Sequence, residues 1–141
     1  MKQGIIRPLA VAIIKHNDKV LVTMSRDSVK KTTFGRLLGG GVEFGETGEQ
    51  ALRRELQEEI GADLENIKYL TTSENIFTYQ GELGHEIVIL FEAEFTDKSF
   101  YKKDNIKILD DDEGGVATWQ NIDDFKQKGA LLYPEICLQY L

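Results

Sequence analysis

At Thr47 the period of the sequence changes. Before it, apolar residues come in near-continuous runs, Arg7 to His16 and Lys19 to Met24; after it, Leu52, Leu56 and Ile60 recur every fourth residue. A helix returns such positions to one face, and the polar residues at every second position between them do not fit a half-buried strand as well. Thr47 and Gln50 fit a capping box at its start, and Gly61 supplies the left-handed stop at its end. A helix with a single apolar stripe must lie against something, and the flanking segments offer strands.

Those segments predict the partners. Asn17-Asp18 gives turn chemistry between Arg7–His16 and Lys19–Met24, which reads as a β-hairpin. Ser28 to Thr33 is polar and reads as loop. Ile67 to Tyr79 reads as strand and Gly81-Glu82-Leu83-Gly84 as turn. In His85 to Phe95, residues Ile87, Ile89, Phe91, Ala93 and Phe95 alternate with Glu86, Val88, Leu90, Glu92 and Glu94. A short strand is expected over Val116 to Trp119, with helical stretches over Ile122 to Lys128 and Pro134 to Leu141. Strands before, between and after helices predict a mixed sheet with helices packed on it. At 141 residues the chain is expected to form one domain, 1–141.

Composition narrows the chemistry. With 24 acids against 17 bases the formal net charge is −7, so a broad basic surface for nucleic acid is not expected. No apolar run approaches the ~20 residues of a membrane helix. Cys137 is the single cysteine, which rules out an internal disulfide or a cysteine-based zinc site. Met1-Lys2-Gln3-Gly4 leads into Ile5-Ile6-Arg7-Pro8 without a signal-peptide layout, so a cytoplasmic setting is expected. An acidic protein that handles phosphates needs another source of positive charge, and a divalent cation supplies it.

On a helical wheel Glu55, Glu58 and Glu59 fall within an arc of ~100° beside the apolar stripe. Like charges at these spacings cost a few tenths of a kcal/mol per pair, roughly, and more when partly desolvated. Oxygen-rich groups of this kind suit Mg2+; a solvated acidic face is the other reading of the helix alone. The loop before it favours the first reading. Gly39-Gly40-Gly41 and Gly45 let the backbone approach a ligand closely, and that loop feeds a helix N-terminus. A P-loop fails because Gly41-Val42 stands where Lys-Ser/Thr is required, and an EF-hand fails over Asp110 to Asn121.

Residues 40–62 carry a longer pattern. Gly40 is followed after five residues by Glu46 and after seven more by Arg54-Glu55-Leu56-Gln57-Glu58-Glu59-Ile60-Gly61-Ala62. This resembles the Nudix box, every charged position and both glycines falling at the family spacing. The first apolar strand, the alternating strand after the box, and Trp119 before a short acidic helix also look like the family. Gly35 and Leu38 stand where many members carry Trp and Pro.

The resemblance implies an α/β/α sandwich, a mixed β-sheet flanked by helices, and hydrolysis of a phosphoanhydride bond in a nucleoside diphosphate-linked or nucleoside triphosphate substrate. It implies Mg2+, with Mn2+ able to substitute, held by Glu55, Glu58, Glu59 and the Gly39 carbonyl. Arg54 would pair with Glu46; Arg54, Glu55 and Glu58 are expected in catalysis. Arg26, Arg36 and Glu43 are candidates for substrate contact. A carboxylate outside the helix is expected as general base or further ligand: Glu113, six residues before Trp119, or else Glu92 or Glu94. Nucleoside triphosphates, ADP-ribose-like diphosphates, dinucleoside polyphosphates and nucleotide sugars are all compatible. A catalytically silent nucleotide sensor on the same fold is the alternative, and the complete set of box carboxylates speaks for the enzyme. A homodimer is one assembly open to it.

Overall fold

The computed structural model describes residues 4–141, so the reading drawn from Met1-Lys2-Gln3 lies outside it. Two mixed sheets face each other. The first contains β1 (Ile6–Ile13), β5 (Leu38–Gly41), β6 (Leu64–Tyr79) and β7 (Glu82–Phe95), in the order β5-β1-β7-β6. The second contains β3 (Lys19–Asp27), β4 (Thr32–Arg36), β8 (Asn105–Lys107), β9 (Val116–Asn121) and β10 (Leu131–Tyr133), in the order β10-β4-β3-β9-β8, with β2 (Lys15–His16) folded onto β3. One parallel pair lies in each sheet, β1 with β7 and β10 with β4. Helix α1 (Gly48–Ile60) lies on one side and the short α2 (Ile122–Lys126) on the other, so the expected sandwich of helices about mixed sheets is present.

The burial of β1 explains this layering. Ala10, Ala12 and Ile14 join the cluster under α1, while Leu9, Val11 and Ile13 join the one under α2. A strand buried on both faces belongs in the middle of a sheet. Hence the expected hairpin is only local: β2 and β3 close around Asn17-Asp18, Asn17 taking a φ of 56°, but β1 itself pairs with β5 and β7 in the other sheet. The long apolar run changes sheets at Ile14.

Helix α1 matches its sequence signals. Thr47 Oγ1 accepts from the Gln50 amide at 3.2 Å, and the Gln50 side chain accepts from the Thr47 amide at 2.9 Å. Gly61, at a φ of 67°, ends it. Leu52 and Leu56 are fully buried, each contributing ~1.5–3 kcal/mol by leaving water.

Several boundaries differ from the sequence reading. The turn expected at 81–84 lies at Gln80-Gly81, both at positive φ, which is the mirror-image turn that suits a two-residue hairpin; β7 therefore begins at Glu82 and β6 at Leu64. Thr32 and Thr33 belong to β4, because the turn before it is drawn tight by Asp27, whose carboxylate accepts from the Val29 and Lys30 amides. The last segment is a 3-10 helix, Glu135–Tyr140, preceded by β10. Helix α2 stops at Lys126, and β9 continues past Trp119 to Asn121. A 3-10 turn at Lys98–Lys102 and strand β8 had no clear periodic signal. No helix of the described residues is long and apolar enough to cross a membrane.

Candidate active site

Strand β5 is where the glycines meet α1. Gly39 takes a φ of +141°, and a Cβ there would lie 2.1 Å from the Ala10 carbonyl oxygen. Its amide donates to Glu59 Oε1 at 3.0 Å. At Gly40 a Cβ would fall 2.4 Å from the carboxyl carbon of Glu55. The missing side chain at Gly40 is thus what lets the Glu55 carboxylate press against the strand, while Gly39 fits against β1 and offers its amide to Glu59.

Arg54 organises the remaining acids. Its Nε and Nη2 donate to the two oxygens of Glu46 at 2.8 and 2.9 Å, a bidentate pair. Nη1 donates to Glu55 at 3.0 Å and to Glu58 at 3.2 Å, and Nη2 also reaches the Gly41 carbonyl at 2.8 Å. Glu43 stands 3.8 Å from the same guanidinium. Hydrogen bonding from Arg54, helped by the Glu43 amide, holds the Glu46 carboxyl down at about 2. Those acids in turn raise Arg54 above its ordinary value.

Glu59 is the exception, because no cation of the described residues pairs with it directly. Burial, reinforced by the charges of Glu55 and Asp110, pushes its carboxyl up to about 8 despite the Gly39 amide and the field of Arg36. Among the described residues no three His, Cys, Asp or Glu side chains converge to hold a metal as they stand. Glu55 and Glu58 point at Arg54 instead. The donor set nevertheless fits a hard divalent cation: oxygen ligands only, four acids around one arginine, and the half-buried Glu59 carboxyl beside them, whose ionised form lacks a paired cation among the described residues.

The general-base candidates separate by position. Glu113 lies exposed in the loop before β9, its amide donating to Asp111 Oδ1 at 2.9 Å. That loop is fastened to α1, since the Leu109 amide donates to the Glu59 carbonyl at 2.7 Å. The loop acid close enough to act on Glu59 is Asp110, which the spacing to Trp119 did not single out. Glu92 and Glu94 share the β7 face of Val88 and Leu90, while α1 packs over Phe91, Ala93 and Phe95 on the other face. Glu94 also accepts from Asn66 at 2.6 Å.

A cleft of about 370 Å³ opens between the two sheets, with Arg7, Arg36, Phe34, Tyr79, Tyr133 and Glu86 in its lining. Arg36 acts on both Glu59 and Glu86, and Arg7 approaches Gly41, so the cleft adjoins the glycine strand. Arg26, exposed on β3, is not in this lining. Arg7 and Glu86 escaped the sequence reading, Arg7 as part of an apolar run and Glu86 as one of the set alternating with Ile87, Ile89, Phe91, Ala93 and Phe95. Their cross-strand register, Arg7 beside Glu86, is the only signal, and it requires the parallel pairing of β1 with β7. Trp119 packs in an aromatic cluster: its indole N–H donates to the Phe100 carbonyl at 3.3 Å, and the tilted rings of His16 and Tyr101 lie 4.8 Å apart beside it.

Comparison with known proteins fits this geometry. Residues 6–136 match the model of the NUDIX domain. An NAD-capped RNA hydrolase NudC of Shigella dysenteriae is 26% identical over 110 residues, which make up 74% of this chain but only 42% of that protein. Two solved structures share the fold: a MutT NUDIX hydrolase from Burkholderia pseudomallei, at a TM-score of 0.66 and 24% identity over 96% of this chain and 98% of the other, and a NUDIX hydrolase from Nitrosomonas europaea, at a TM-score of 0.64 and 20% identity over 94% and 84%.

Proposed function

The chain belongs to the NUDIX family, and from that premise we propose that it hydrolyses a phosphoanhydride bond in a nucleoside diphosphate-linked or nucleoside triphosphate substrate, with Mg2+ held by Glu55, Glu58, Glu59 and the Gly39 carbonyl. The observation that carries this reading is the convergence on Arg54 and β5: Glu46, Glu55 and Glu58 within 3.2 Å of one guanidinium, and Glu59 on the Gly39 amide.

Each residue has a distinct task. Glu46 anchors Arg54, and Arg54 gathers Glu55 and Glu58 beside β5, so that a side-chain rotation turns these acids from the guanidinium onto a cation. Arg36, between the carboxylates and the cleft, pairs with a phosphate oxygen. Glu43, at the rim, orients the glycine loop. Asp110 or Glu113 takes the proton of the attacking water. When bound, Mg2+, or Mn2+ in its place, neutralises the diphosphate and acidifies that water. Charge neutralisation and positioning supply most of the barrier reduction in phosphoryl chemistry.

The test is a phosphate- and nucleotide-release screen over nucleoside triphosphates, ADP-ribose-like diphosphates, dinucleoside polyphosphates and nucleotide sugars. Release of a mononucleotide from at least one class, in Mg2+ or Mn2+, is expected. No release from any class in either metal would refute the enzymatic reading.

A further inference from the structure

Glu86 is an acid in the wrong place for a structural role. It is 9% exposed on β7, in the cleft, and beside it in register on β1 is Arg7. Yet the Arg7 Nη1 to Glu86 Oε2 distance is 3.8 Å, too long for a hydrogen bond. No described residue donates to this carboxylate in place of Arg7. Burial alone pushes it up, and Arg36 and Arg7 only partly draw it back. No side-chain nitrogen or oxygen of the described residues is both sealed and unpaired. The Glu86 oxygens therefore open into the cleft. A half-desolvated carboxylate held this way is costly unless something hydrogen-bonds to it.

The surroundings say what that something is. Phe34 stands edge-on to Tyr79 and Tyr133, at centroid distances of 5.8 and 5.3 Å, giving the cleft an aromatic wall suited to a flat ring. Arg36 reaches both Glu59 and Glu86, and a diphosphate bound to it would lie on its Glu59 side. A ligand with its phosphates at Arg36 carries its nucleoside toward the aromatic wall and Glu86.

We propose that Glu86 is a specificity-determining residue, accepting from a pair of donors on the nucleoside of the substrate. Two parts of a nucleoside supply such a pair: the N1–H and 2-amino edge of guanine, or the ribose cis-diol. This rests on the hydrolase reading for where the phosphates lie, but its test needs no turnover.

Binding of guanosine, inosine, adenosine and 2′-deoxyguanosine 5′-monophosphates to the whole chain is measured by calorimetry with Mg2+ present. The comparison is between the native protein, Glu86→Gln and Glu86→Asp, with unfolding midpoints confirming that each is folded. The native protein is expected to prefer a donor-bearing nucleotide by about tenfold, as befits a hydrogen bond to a charged group. Preference for guanosine over inosine and adenosine assigns the base edge; preference for the ribonucleotide over its deoxy form assigns the diol. In either case Glu86→Gln, which replaces one acceptor by a donor, should bring the ratio close to one, and Glu86→Asp serves the same purpose if the glutamine variant does not fold. A native protein that binds all four alike, or none, overturns the proposal, as does a ratio that survives both substitutions. If discrimination behaves as expected but the release screen fails, the reaction assignment alone is wrong.

Discussion

Gly40 and Glu55 occupy the same space from opposite sides: a Cβ on Gly40 would lie 2.4 Å from the Glu55 carboxyl carbon. The contrast with Gly39 is useful, because there the obstacle is the Ala10 backbone at 2.1 Å and φ is already +141°. Gly40→Ala meets only the end of a flexible side chain, which swings aside. It should cost little stability, under ~1 kcal/mol, yet lower kcat at least ~10²-fold by displacing a ligand. Gly39→Ala should instead destabilise the fold, by ~1–3 kcal/mol or more. Urea unfolding and steady-state kinetics on both variants check this; equal stability losses would contradict it.

Glu58 is half exposed and held only through Arg54 Nη1 at 3.2 Å. Glu58→Gln should therefore leave the fold intact while reducing kcat at least ~10²-fold. Relief of carboxylate repulsion should leave the metal-free variant with a thermal midpoint at least equal to that of the native protein. Near-normal kcat would remove Glu58 from the ligand set.

Glu46 makes stability depend on acid. Its folded carboxyl titrates at about 2 against an ordinary 4.5. Between those values the unfolded chain binds more protons than the folded one, so this contribution is complete above 4.5 and lost as pH falls toward 2. Glu46→Gln should flatten that part of the stability curve. Parallel curves for native and variant protein from pH 5 to 2.5 would contradict the pairing with Arg54.

The water-activating acid is expected on the loop fastened to Glu59. Asp110→Asn and Glu113→Gln are compared with Glu92→Gln and Glu94→Gln by kcat at saturating Mg2+ and substrate. A ~10²-fold loss in one of the loop variants is expected. A comparable loss confined to Glu92 or Glu94 would move the base to the strand face away from α1.

What the sequence reveals is local. The capping box, the i+4 stripe and Gly61 each act within a few residues, and α1 follows them to its ends. The Arg54–Glu46 pair was implied by the resemblance to the Nudix box, not by the spacing itself, since Arg54 has Glu43, Glu55 and Glu58 within reach as well. Pairing at a distance was not. The sheet change at Ile14 depends on β1 finding β7, and the same parallel register brings Arg7 beside Glu86. Asp110 and Glu113 could not be ranked from spacing to Trp119, since what matters is the bond from Leu109 to the Glu59 carbonyl. The orientation of Glu55 and Glu58 toward Arg54 was also hidden, for a helical wheel gives a face and not a rotamer.

The central claim is that these acids work by holding a divalent cation. Turnover of whichever substrate the screen identifies is measured after exhaustive treatment with EDTA, then during titration with Mg2+. The predicted result is loss of all turnover on chelation and its return with added Mg2+. Full activity in the chelated protein would contradict the account.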